Sequence, residues 1–312
     1  VTTVAPQGAP AAIRPQGASA VALDHVGVAA RDLAPLLAQY ERLGFDLSPL
    51  AQQSGRRTPD GPVELFGSGN RCAFFRHGYV ELIGILDATR HANAVDQFVA
   101  RYHGLHIAAF AMADPEANLA RLRAGGLAIP GVAYLERPVE VGGPTARFAR
   151  LPYPDAPEGR VQLIRHLTPE LVWQDRWMHH ANQVVALESL VLASANPAET
   201  AARFSRLTGL AVVPDPAGGF LLELPGQSGA AGPNAPVLRT SVRILPAEAL
   251  DRVLPGVVAP TLPFMAGMVL RTADGNAAAR QVLAGLPLRE MPGGALLVPP
   301  EFAGGAAILF TP

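Results

Sequence analysis

Lysine is absent: all 25 basic residues are arginine. The bias goes with abundant Ala, Gly, Pro and Arg, matches GC-rich coding, and carries no mechanism of its own. Cysteine is nearly absent too. The one thiol, Cys72, excludes a disulfide framework within the chain and any cysteine-rich metal site. No apolar run approaches the ~20 residues that a membrane-spanning helix needs. A basic run is also missing, and with 26 acidic residues the formal net charge is -1, which argues against nucleic acid as a partner. Residues 1–21 are rich in Pro, Gly and Ala and lack the continuous apolar core of a signal peptide, so a flexible N-terminal arm on a cytoplasmic protein is expected. What is present is ample apolar material, 49% of 312 residues, enough for one large or two medium domains. Its 31 glycines and 30 prolines suit many short strands joined by turns better than a helical bundle.

The chain repeats itself. Ala22-Leu23-Asp24-His25-Val26-Gly27-Val28 parallels His103-Gly104-Leu105-His106-Ile107-Ala108-Ala109, each an apolar run holding one histidine. Each leads into a helical pattern, Leu33 to Leu43 closed by Gly44 and Pro115 to Ala124 closed by Gly125. Gly78-Tyr79-Val80-Glu81-Leu82-Ile83 then parallels Gly159-Arg160-Val161-Gln162-Leu163-Ile164. His25 to His106, Gly44 to Gly125 and Glu81 to Gln162 are all 81 residues apart. Residues 22–88 and 103–168 therefore read as two copies of one strand–helix–strands unit. A fainter third copy starts at Ala186-Leu187-Glu188-Ser189, with a helix from Pro197 to about Leu207. A fourth starts near Met268, with a helix from Asn276 to Leu283 and a last strand at Ala306 to Phe310. Residues 169–184 read as the linker between halves, and Pro225 to Pro236 as a surface loop. All eight histidines lie at or before His180, so histidine chemistry belongs to the first half.

The strand Leu-Asp-His-Val-Gly-Val, the helix after it, and Gly67-Ser-Gly-Asn-Arg71 leading into Gly78-Tyr-Val-Glu-Leu-Ile-Gly84 resemble the vicinal-oxygen-chelate superfamily, its glyoxalase-like group most of all. This is the fold shared by glyoxalases, bleomycin-resistance proteins and extradiol dioxygenases. The resemblance is good over 22–168 and weak over 184–312. It implies an α+β protein of four βαβββ modules forming two cup-shaped mixed sheets. The lobe at 22–168 would hold the site, and a degenerate lobe at 185–312 would lack metal ligands. It further implies one divalent ion (Fe, Mn, Ni, Co, Mg or Zn) on His25, Glu81 and His106. The fourth family position falls on Gln162, a weaker, neutral ligand. His166, four residues on and on the same strand face, is the other candidate for that place.

Two imidazoles and a carboxylate can hold a metal with open positions. Such an ion stabilises an enolate or oxyanion as a Lewis acid, so the resemblance implies a lyase or isomerase moving a proton next to a chelated carbonyl of a small oxygenated metabolite. The base would be Glu81 or His166, because an amide such as Gln162 does not titrate usefully. The same three ligands also fit a non-haem Fe(II) ring-cleaving dioxygenase, although in those relatives the metal sits in the C-terminal pair of modules. A third reading is a metal-free protein that sequesters a small molecule in its cup. Asn70 and Arg71 are candidates for holding substrate, Arg71 through a bidentate contact to a carboxylate. His77, His91 and His103 read as surface residues, His179 and His180 as linker. With both cups inside one chain, a homodimer is not required for the site.

Overall fold

The computed structural model describes residues 19–57, 61–140, 143–228 and 237–312. Most of the expected N-terminal arm, through residue 18, and residues 229–236 of the expected surface loop lie outside them.

Four βαβββ modules follow one another. The first comprises β1 (Ala20–Asp32), α1 (Leu33–Arg42), β2 (Ala51–Arg56), β3 (Val63–Phe74) and β4 (Tyr79–Ile85). A short helix, α2 (Val95–Arg101), leads into the second: β5 (Gly104–Met112), α3 (Pro115–Ala124), β6 (Ala133–Pro138), β7 (Thr145–Pro152) and β8 (Arg160–His166). The third is β9 (Val184–Ser194), α4 (Pro197–Thr208), β10 (Val212–Pro214), β11 (Phe220–Ser228) and β12 (Val237–Pro246). The fourth is β13 (Phe264–Thr272), α5 (Ala277–Val282), β14 (Arg289–Glu290), β15 (Leu296–Val298) and β16 (Ala307–Thr311).

The same local signals build each module. Asp32, Asp114 and Asn196 cap α1, α3 and α4 by accepting from the first-turn amides of Ala34, Ala117 and Glu199. Pro115 and Pro197 open the first turn of α3 and α4. Leu33, Leu36 and Tyr40 form the buried stripe of α1. In every module the first strand runs parallel to the last: β1 with β4, β5 with β8, β9 with β12, β13 with β16. An antiparallel β1–β5 seam joins the first two modules into one curved sheet, and a β9–β13 seam joins the other two. Two bridges, Met265 to Leu105 and His77 to Ala186, link the halves. A shared core runs between them through Tyr40, Phe110, Phe204 and Phe310, and the buried Glu158 pairs with Arg203 at 2.5 Å.

Candidate functional site

The hollow face of the first sheet encloses a cavity of about 480 Å³. Its floor is set by strand register. On β1, His25 lies beside Tyr79 of β4 and Gly27 beside Glu81, so the side chains of His25 and Glu81 are diagonal neighbours on one face. On the other side of the seam, Gln162 of β8 lies beside Ala109 of β5. His25, Tyr79, Glu81 and Gln162 all line the cavity, with Asn70 and Cys72 from β3. The His25 and Tyr79 rings stack at 4.4 Å.

His106 does not join them. The 81-residue spacing holds for β4 and β8, but the seam follows a different one. Tyr79 pairs with His25 in the first module, and its counterpart Arg160 pairs with Ile107 in the second. The structural twin of His25 is therefore Ile107, and the twin of His106 is Asp24. Each twin occupies a β-bulge. Asp24 has no partner between Leu23–Phe110 and His25–Ala109, and His106 has none between Leu105–Val28 and Ile107–Gly27. A one-residue slip sends a side chain to the other face of a strand. Ile107 takes the place over Gly27, where an added Cβ would fall under 3.0 Å from its side chain.

His106 instead sits fully buried between the rings of Tyr102 (4.0 Å) and Phe98 (5.1 Å), its Nε2 donating to the Tyr102 carbonyl at 2.9 Å. Its Nδ1 is buried without a partner. Burial thus pulls its pKa from 6.5 to about 4. Between those values the unfolded chain binds a proton that the folded chain refuses. Stability is therefore full above pH 6.5 and falls as the pH drops towards 4, by about 3 kcal/mol in all. His106→Gln keeps a donor for Tyr102 and does not titrate. Urea unfolding at pH 7 and pH 4.5 is expected to show this slope in the wild type and a flatter one in the variant.

At the other bulge, Asp24 turns its carboxylate between two histidines. His25 Nδ1 donates to Asp24 Oδ1 at 2.7 Å and His166 Nε2 donates to the same oxygen at 3.1 Å. Burial pushes the Asp24 carboxyl up, but the charges and hydrogen bonds of His166 and His25 outweigh it and hold the group below the usual carboxylate range. His166 packs against Trp173 at 4.6 Å and Phe148 at 5.1 Å, outside the cavity lining, and backs Asp24 through its Nε2.

Asn70 and Arg71 part ways. Asn70 Nδ2 donates to Glu81 Oε1 inside the cavity. Arg71 points away, donating to the carbonyls of Ser48 (2.6 Å) and Leu47 (2.9 Å) and pairing with Glu41 at 2.8 Å. The cavity arginines are others: Arg57 just after β2, Arg137 on β6, Arg150 on β7 and Arg160 on β8. His91 also lines the cavity, set edge-on to Phe66 at 5.0 Å, whereas His180 is a buried tie that accepts from the Asp46 amide and donates to the Phe74 carbonyl. Asp24 carried a readable signal, since a carboxylate inside an apolar strand needs a partner. So did Arg150, two residues beyond the buried Phe148 and on the same strand face.

These residues do not suit the divalent ion that the resemblance implied. Among the described residues, no three His, Cys, Asp or Glu side chains gather as a metal site. The cavity is lined by the imidazoles of His25 and His91, the carboxylates of Glu81 and Glu136 and the Gln162 amide, but no three of these donors converge, and Glu81 already accepts from Asn70. Four guanidiniums line the same cavity and repel a cation.

A model of a glyoxalase-like domain matches residues 23–208, more than half of the chain. No curated protein matches it. Among solved structures it is similar to a hypothetical protein from Staphylococcus aureus, at TM-score 0.57 and 13% identity over 94% of this chain and 99% of that one. It is also similar to a Mn(II)-bound glyoxalase from Novosphingobium aromaticivorans, at TM-score 0.51 and 15% identity over 94% and 82%. A third likeness is to a xylose isomerase-like TIM barrel/4-hydroxyphenylpyruvate dioxygenase fusion protein, at TM-score 0.52 and 16% identity over 98% of this chain and 51% of that one. At these identities the structural likeness shows the fold. Four βαβββ modules, the paired cup and the domain match agree: the chain belongs to the glyoxalase-like domain family of the vicinal-oxygen-chelate superfamily.

Proposed function

We propose that the chain is a glyoxalase-like enzyme of the lyase or isomerase kind, which moves a proton next to a carbonyl of a small oxygenated metabolite seated in the N-terminal cavity. The observation that carries this reading is the Asp24–His25 pair at the cavity wall. An ionised carboxylate only accepts, so His25 holds its proton on Nδ1 and keeps the Nε2 lone pair for a substrate proton. Asp24 fixes the ring's tautomer and orientation, and stabilises the imidazolium that forms. The His25 imidazolium then returns that proton to a neighbouring atom of the substrate, and Glu81, diagonal to His25, lines the same wall. Arg137, whose Nη1 reaches Asn70 Oδ1 at 3.4 Å, brings positive charge to the developing oxyanion.

Both the metal-dependent version of this chemistry and the ring-cleaving dioxygenase need a third strong donor beside His25 and Glu81, and His106 does not supply it. The test is solvent-deuterium exchange into a panel of small 2-oxo acids and hydroxyketones, followed by NMR. A general base contributes roughly 10²–10⁴ in rate, so exchange is expected in the wild type and should fall by about that factor in His25→Gln with ligand affinity kept. Ligand binding without exchange in the wild type would make this a sequestering protein instead.

A further inference from the structure

We infer that Arg150 and Arg160 form a seat for an oxyanion, a carboxylate or phosphate group of the ligand in the N-terminal cavity. The inference rests on the cavity being the ligand site, and not on the proton transfer.

Register puts the two arginines on one cavity-facing side of the sheet. On β8, Arg160, Gln162 and Ile164 alternate onto the cavity face, and Arg150 of β7 lies beside Ile164. The two side chains therefore stand on either side of Gln162. Arg150 reaches Gln162 Oε1 only at 3.4 Å, and its Nε is buried with no partner. Arg160 donates to the Asn93 carbonyl at 2.7 Å and lies 5.5 Å over the Phe98 ring. Among the described residues, no carboxylate lies within ion-pair distance of either; the buried or half-buried arginines Arg203 and Arg243 have theirs, in Glu158 and Asp215.

Two like charges in one low-dielectric pocket repel, and an unpaired buried N–H is costly. Burial first, and Arg160 beside it second, pull the Arg150 pKa down to about 10; Glu81 opposes this from a distance. Around the whole cavity, Arg57, Arg137, Arg150 and Arg160 face only Glu81 and Glu136. The planar fork of a guanidinium matches carboxylate and phosphate oxygens, so an oxyanion between the pair would satisfy Arg150 Nε and relieve the repulsion at once.

Isothermal titration of the purified chain at low ionic strength, with inorganic phosphate and with malonate, tests this. Saturable binding of at least one is expected, weakened tenfold or more in Arg150→Gln and in Arg160→Gln, and changed less than twofold in His25→Gln. Tighter phosphate marks a phosphate-ester ligand, tighter malonate a carboxylic acid. If Arg150→Gln does not fold, Arg160→Gln decides, with Arg150→Lys expected to bind more weakly than wild type because it keeps the charge and loses the fork. No saturable binding of either anion, or equal binding in the arginine variants, overturns the assignment. Oxyanion binding without deuterium exchange leaves the seat in place and removes only the enzyme reading.

Discussion

Asp24→Asn is expected to lower turnover by about three to four orders of magnitude, the scale on which losing the orienting carboxylate of a histidine base acts. The amide has the size of the carboxylate but the wrong hydrogen-bonding character. Asp24 Oδ1 accepts from both His25 Nδ1 and His166 Nε2. An asparagine oxygen loses the charge that holds both, and its NH₂ group favours the His25 tautomer with the proton on Nε2, where it blocks the base. The fold suffers as well. Hydrogen bonds to charged groups contribute about 1.5–3 kcal/mol each, so losing the charge under two of them should destabilise by about 3 kcal/mol. Because the native carboxyl titrates below its unfolded value, the wild-type contribution is full above about pH 4 and disappears as the pH falls further. The variant should lack this acid-side slope. Kinetics at saturating ligand, together with urea unfolding at pH 7 and pH 3, check both parts. Turnover within tenfold of wild type would remove His25 from the role of base.

The repeat in the sequence carried the fold well. Asp32, Asp114 and Asn196 before the helices, and the glycines Gly44, Gly126 and Gly209 after them at positive φ, are local signals that bound each helix within a residue or two of its place. The site was legible only in part, for a physical reason. An 81-residue offset is a property of the chain, whereas facing is a property of the seam, and the bulges at Asp24 and His106 each shift the seam by one residue. Bulges re-aim side chains, and no spacing in the sequence marks them. That single residue put Ile107, not His106, at the seam position matching His25, and brought Asp24 round to His25. Arg71 and Arg150 show the same limit. Both lie on strands, but Arg71 turns to the Ser48 and Leu47 carbonyls while Arg150 turns inward, where only the alternation with Phe148 hinted at it.

Gly159→Ala is expected to destabilise the chain by upwards of about 3 kcal/mol, and Gly78→Ala by less. These glycines open the last strands of the first two modules and hold φ of +138° and +75°, which alanine adopts only with strain. Each also lies against the bulge of its own module. A Cβ on Gly159 would fall closer than 3.0 Å to the His106 carbonyl oxygen, and one on Gly78 would lie 2.9 Å from the Asp24 carbonyl oxygen. Neither obstacle is the end of a flexible side chain, so the strand itself has to move. The consequences then diverge. At Gly159 the displaced bulge carries the buried His106, so the loss falls on stability. At Gly78 it carries Asp24, so turnover should drop by more than the fraction unfolded accounts for, while oxyanion binding at Arg150 and Arg160 is kept. Chemical denaturation of both variants, with turnover measured where the chain is still folded, separates the two effects. Stability of Gly159→Ala within 1 kcal/mol of wild type would show that the last strand does not depend on this close approach.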